Sequence, residues 1–164
     1  MKKQKSIGNK GFSLVELIIV IAIMAILIGV MAPQLLRYVE RTRVSSDTQL
    51  ADSVRTAVRT AMMDPVVLND DASTAAIATF NTTATTQATA VDLSTLGGTE
   101  FGNAIAETLG VADTALGDVA DELQSTPLAP ATDLSISVWS IGGNDVGVVI
   151  LGSDDGTNNP IVVQ

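Results

Sequence analysis

From Leu17 to Ala32 the chain is one uninterrupted apolar run, Leu-Ile-Ile-Val-Ile-Ala-Ile-Met-Ala-Ile-Leu-Ile-Gly-Val-Met-Ala, with Glu16 at its head and Pro33 at its foot. As a helix, residues 12–36 are long enough to span a bilayer, since about 20 mainly apolar residues suffice. Beyond Pro33 the pattern turns amphipathic. Leu50, Val54, Ala57, Val58 and Ala61 recur at helical spacing, with Asp52, Arg55 and Arg59 off that stripe. Arg43 and Asp47, at i,i+4, predict a modest helix-supporting pair. Asp64-Pro65 predicts the stop, because a residue before proline is pushed out of helical geometry. A helix from Phe12 to about Met63 is on the order of 75–80 Å long at ~1.5 Å per residue. A chain of 164 residues cannot bury such a rod, which must protrude, cross a membrane or pack against copies of itself. Pro33 removes one backbone hydrogen bond and predicts a kink or a melted turn within it.

Residues 66–130 are rich in Ala, Thr, Asp and Gly, and threonine-rich 79–99 reads as loop or weak strand. Two helical patterns follow, Glu100–Leu109 and Ala115–Leu123, the second with Leu116, Val119, Ala120 and Leu123 on one face. Residues 126–132, with Pro127 and Pro130, read as a connector. Leu134–Ile141 alternates apolar residues with serines, Trp139 falling on the serine face. A Gly142-Gly143-Asn144-Asp145 turn leads into Val146–Leu151, and turn-rich 152–159 leads into Pro160–Val163, predicting a three-stranded antiparallel meander. A long helix followed by a compact sheet is an α+β arrangement, with the second half of the helix packed across the sheet. The expected organisation is 1–11 leader, 12–36 apolar helix half, 37–64 amphipathic helix half, 65–133 a region of loops and short helices, and 134–164 sheet.

Charge divides sharply along this pattern. Lys2, Lys3, Lys5 and Lys10 are the only lysines and all precede Gly11, while Arg37, Arg41, Arg43, Arg55 and Arg59 are the only arginines. Fourteen Asp and Glu follow Arg59 with no basic residue among them, within a net charge of −9. Such a surface repels nucleic acid phosphates and anionic membranes, so no direct nucleic acid partner is expected. Lysines before the apolar run and acids behind it place the leader in the cytoplasm and the C-terminus outside. The chain has neither cysteine nor histidine, which removes disulfides, thiolate metal sites, the usual zinc ligands and the usual general base. No cofactor is expected.

Glu16 is the residue with the most to explain. A charge beside a lipid-spanning run is costly to bury, about 2.5–3.5 kcal/mol at mid-membrane and less near the interface, so a partner is expected. The stretch Lys10-Gly11-Phe12-Ser13-Leu14-Val15-Glu16-Leu17 resembles the class III signal of type IV pilins and related pseudopilins, and the chain looks most like a major pilin. The resemblance covers roughly residues 10–60. It implies the pilin fold, cleavage between Gly11 and Phe12 by a membrane prepilin peptidase, and N-methylation of Phe12 by the same enzyme. It further implies an inner-membrane assembly platform with its ATPase, and a helical homo-oligomeric filament with no enzymatic activity of its own. Pro33 falls where many members carry a helix-loosening proline. Unlike many pilins of Gram-negative bacteria, the chain lacks the cysteines that close a C-terminal loop.

Cleavage before Phe12 creates a cationic amine at the start of a long helix, and Glu16 lies about one turn away, against the positive helix end. In a packed fibre the carboxylate meets the amine of a neighbouring copy. An ion pair in low dielectric adds little net stability but constrains register. Cohesion then falls to the apolar face, including Leu17 and Ile21, and small residues at Ala22, Ala25, Gly29 and Ala32 allow close helix approach.

Competing readings have their own signatures. An ordinary secretory signal would be cut after Val30-Met31-Ala32, directly before Pro33. A plain anchor would leave Glu16 snorkelling at the interface. A pseudopilin of a type II secretion or DNA-uptake system shares the leader and the fold. A membrane-anchored surface binding module would not polymerise, and a displayed hydrolase would need a nucleophile–base pair, which is not visible. Asp154 and Asp155 offer weak oxygen ligands for Ca²⁺ on a loop without EF-hand spacing. Asn81-Thr82-Thr83 fits a glycosylation sequon. Glu100, Glu107, Asp118, Asp121 and Glu122 read as helix-surface charges.

Overall fold

The structure is a computed structural model that describes residues 12–125, 134–142, 145–153 and 160–164, with the backbone alone at residue 113. Helix α1 runs from Leu14 to Ala61. The chain divides into two compact units at Val39/Glu40.

The first unit, as described, is helix alone, and all of its residues from 12 to 39 are exposed. No turn is melted at Pro33: α1 is helical on both sides of it and through it. Proline cannot donate to the carbonyl four residues back, and its ring crowds that carbonyl. Here that residue is Gly29, whose missing side chain leaves the backbone freer to adjust.

The second unit is an α+β head. With the C-terminal half of α1 it contains helices α2 (Pro65–Asn69), α3 (Asp71–Thr83) and α4 (Glu100–Leu109) and a four-stranded antiparallel sheet. The strands are β1 (Val91–Asp92), β2 (Ser135–Gly142), β3 (Asp145–Leu151) and β4 (Ile161–Val163), in the order β1-β2-β3-β4. The expected three-strand meander is therefore extended by β1, where Val91 pairs with Val138. Ala51, Val54, Ala57, Val58 and Ala61 of α1 share one core with Ile136, Val138, Val146, Val148, Ile150 and Ile161 of the sheet. Small residues on the helix stripe let the backbone lie close to a β-branched sheet surface.

Trp139 and the serines beside it are not on a solvent face. Trp139 stands opposite Gly147 in the β2–β3 pairing, and a side chain at Gly147 would collide with the indole. The ring thus lies over the glycine and is itself buried, as are Ser137 and Ser140.

Threonine-rich 79–99 departs from the expected loop or weak strand at its start, since residues 79–83 complete α3. Asp70 accepts a hydrogen bond from the Ser73 N–H at the start of that helix. Threonine is a poor helix former because it competes for backbone groups. In α3 Thr74, Thr79 and Thr82 instead donate back to the carbonyls of Asp70, Ala75 and Ala78, within the helix. Helix α4 matches its expected span, capped by Thr99 and ended by Gly110 in the left-handed conformation (φ 75°). The helix expected over 115–123 is instead two tight 3-10 turns, Asp113–Ala115 and Gly117–Glu122. Its face was read correctly, with Leu116 and Val119 buried. Three-residue spacing suits a 3-10 pitch as well as an α one, and Gly117 weakens the longer form.

Candidate assembly site

The N-terminal segment concentrates the residues that the sequence singles out. Gly11 lies outside the described residues. Phe12 is 93% exposed and precedes the first helical residue. Glu16 sits in the first turn of α1, where its Oε2 accepts a hydrogen bond from the backbone N–H of Ser13 at 2.8 Å. The Ser13 hydroxyl accepts a longer one, 3.4 Å, from the N–H of Val15. The Glu16 bond is the N3 half of a capping box, while the Ser13 hydroxyl caps the second helical N–H, so two orphan donors of the helix start are satisfied by side chains. The carboxylate thus has a neutral partner within its own chain, and its second oxygen accepts no hydrogen bond among those described.

Below it the helix offers bare hydrocarbon. Leu17 and Ile21 are 60% and 55% exposed, and Ala25 and Pro33 are exposed as well. A side chain added at Gly29 would meet open space. The 18-residue apolar window of α1 has a mean hydropathy of 3.0 and buries none of its residues. Apolar area left in water costs about 25 cal/mol per Å², so a surface of this extent requires lipid or protein cover. By length and composition this is a helix able to cross a membrane.

Within the head the charged residues act as clamps, and sequence reading missed the principal one. Asp47 was expected to support α1 through Arg43. Arg43 instead lies 3.6 Å from Glu40, and Asp47 is 1% exposed. Its two oxygens accept the backbone N–H groups of Gln124 and Ser125, each at 2.8 Å. Charge-assisted bonds to two successive amides hold the segment after the 3-10 turn onto α1. A second clamp joins α1 to the hairpin. Arg55 donates to the carbonyl of Val146 and to Asp145, and Arg59 lies 3.6 Å from the same carboxylate. The backbone N–H of Val146 and then the two arginines hold the Asp145 carboxyl below its ordinary value of 3.8, burial opposing them.

The weaker candidates contribute little to a site. Asp154 and Asp155 lie outside the described residues, and no group that could hold a metal ion occurs among the described ones. The amide oxygen of Asn81 is hydrogen-bonded to the Ser140 hydroxyl at 2.7 Å, which ties the sequon's side chain to the sheet. Glu100, Glu107, Asp118, Asp121 and Glu122 are all exposed.

Comparison with known proteins converges on the same segment. Residues 8–32 match the family model described as prokaryotic N-terminal methylation motif. The chain is 41% identical over 56 residues to a type IV major fimbrial protein FimA of Dichelobacter nodosus, covering 34% of this chain and 36% of that one. It is 40% identical over 69 residues to a fimbrial protein of Moraxella nonliquefaciens, covering 42% of this chain and 45% of that one. The match thus spans between about a third and a half of the length of these relatives. No solved structure matches.

Proposed function

We propose that the chain belongs, through its N-terminal segment, to the type IV pilin family and is the structural subunit of a type IV pilus. Prepilin peptidase cuts after Gly11 and N-methylates Phe12. Before assembly the subunit is held in the cytoplasmic membrane by α1, with its head outside. A platform and ATPase in that membrane then draw subunits into a surface filament, helices inward and acidic heads outward, for adhesion, motility or biofilm formation. The observation that carries this reading is the uncovered apolar helix from residue 12 to 39, headed by a single carboxylate. Lipid covers that surface first and neighbouring copies cover it afterwards.

In the filament Glu16 exchanges the Ser13 N–H for, or shares it with, the amine of a neighbour's Phe12. The pair sets register, and Leu17, Ile21, Ala25 and Gly29 pack between helices. Mass spectrometry of the protein from cells tests the processing: a first residue of N-methylated Phe12 is expected. An N-terminus at Pro33 would mean ordinary secretion. Electron microscopy of material sheared from the surface should show fibres containing the chain, and a chain found only as a monomeric membrane protein would refute the proposal.

A further inference from the structure

Arg41 stands exposed on α1 and makes no ion pair among the described residues, whereas Arg43, Arg55 and Arg59 each have a carboxylate partner. A groove of about 570 Å³ lies between Ser46, Leu50 and Ser53 of α1 and the segment from Asp121 to Gln124. Asp47 also lines it, but its two oxygens are already taken by the amides of Gln124 and Ser125. The other carboxylates lining it are Asp121 and Glu122, both exposed and in no ion pair among the described residues.

We propose that the occupant of this groove is Arg41 of a second copy of the chain. The inference rests on the filament reading and goes beyond it by naming a contact between heads. Charge complementarity supports it: every arginine lies between positions 37 and 59, and every charged residue after them is an acid. Arg41 and the groove belong to the same compact unit, so each copy of that unit carries both a cation and an acidic groove for its neighbours. A guanidinium on its long stem reaches into such a groove, and its planar fork suits two adjacent carboxylates. A contact of this kind contributes chiefly to specificity and register rather than to bulk affinity.

The chain has no cysteine, so a pair introduced at Arg41→Cys and Glu122→Cys is a clean crosslinking probe. Oxidation of sheared filaments carrying both changes should give a ladder of linked copies, and either change alone should give none. Arg41→Glu should lower filament yield about tenfold, as should Asp121→Arg with Glu122→Arg. Combining the reversals should restore yield to within about twofold of the unmodified chain. The amount of each variant in the membrane fraction and the fluorescence of Trp139 report whether it still folds. Filaments that form at full yield in the reversal variants and give no ladder overturn the docking while leaving the filament reading intact. If the unmodified chain forms no filaments, that reading fails and the docking with it. If Arg41→Glu is not rescued but loses binding to vesicles containing phosphatidylglycerol, Arg41 belongs to lipid phosphates, and the docking is again overturned.

Discussion

The Glu16 carboxylate and the backbone N–H of Ser13 are joined by a hydrogen bond of 2.8 Å at the start of α1. The same side chain is therefore both a helix cap and the charge assigned to subunit register, and these roles separate by substitution. Glu16→Gln keeps a carbonyl oxygen for the Ser13 N–H but has no charge for a neighbour's amine. Glu16→Ala loses both, and loss of such a cap costs about 1 kcal/mol of local helix stability. Both variants should insert in the membrane, and both should be depleted from sheared filaments. Filament yield relative to the membrane-held pool is the measurement. Native yield from Glu16→Gln would reduce the residue to a cap.

Asp47 gives a prediction for the head alone. With its carboxylate removed, the N–H groups of Gln124 and Ser125 lose their charged acceptor at a buried position. Hydrogen bonds to a charged group contribute about 1.5–3 kcal/mol each, so with two of them lost Asp47→Ala should cost about 3–6 kcal/mol. The chain has one tryptophan, and urea unfolding of the detergent-solubilised protein followed by its fluorescence reads the loss directly. A midpoint unchanged from the unmodified chain would show that water replaces the carboxylate there.

These two carboxylates also mark what the sequence made legible. Glu16 could be placed because its context is local: Gly11, Phe12 and the apolar run are contiguous. The span of α4 was legible for the same reason, Thr99 and Gly110 marking its ends. Asp47 was misassigned to Arg43 because its true partners are 77 and 78 residues away, beyond any helical period. Arg55 and Asp145, 90 residues apart, were hidden likewise. α3 was missed in part because threonine content argues against a helix, whereas its hydroxyls bond back along the helix and Phe80 anchors it in the core. Strand β1 is only two residues long and exists because β2 offers it an edge. The continuity of α1 through Pro33 is a case of local preference yielding to a long apolar helix around it.

Trp139 over Gly147 predicts that the glycine is not replaceable. Gly147→Ala places a methyl group where the indole now lies, and overpacking of this kind costs about 1–3 kcal/mol. The ring must leave its buried position, so its emission should shift to longer wavelength together with a lower unfolding midpoint. A spectrum matching that of the unmodified chain would mean that the hairpin adjusts without releasing the indole.

The Asp145 clamp predicts a limit on acid stability. Its carboxyl is held below 3.8 in the folded head, by the Val146 N–H first and then by Arg55 and Arg59. A group whose folded value is depressed is more strongly bound as carboxylate in the folded state than in the unfolded one. Its contribution is complete above the unfolded value and is lost as pH falls from there through the folded value. Between pH 5 and 8, a range well above 3.8, this carboxylate should add no slope to stability. Below pH 3.8 the unmodified head should lose its contribution progressively. Asp145→Asn, which cannot ionise, should be weaker at neutral pH and should converge on the unmodified chain in acid. Urea midpoints of the two proteins measured from pH 7 down to pH 2 check this, and parallel curves over that whole range would show that the Asp145 carboxylate is not what couples the hairpin to α1.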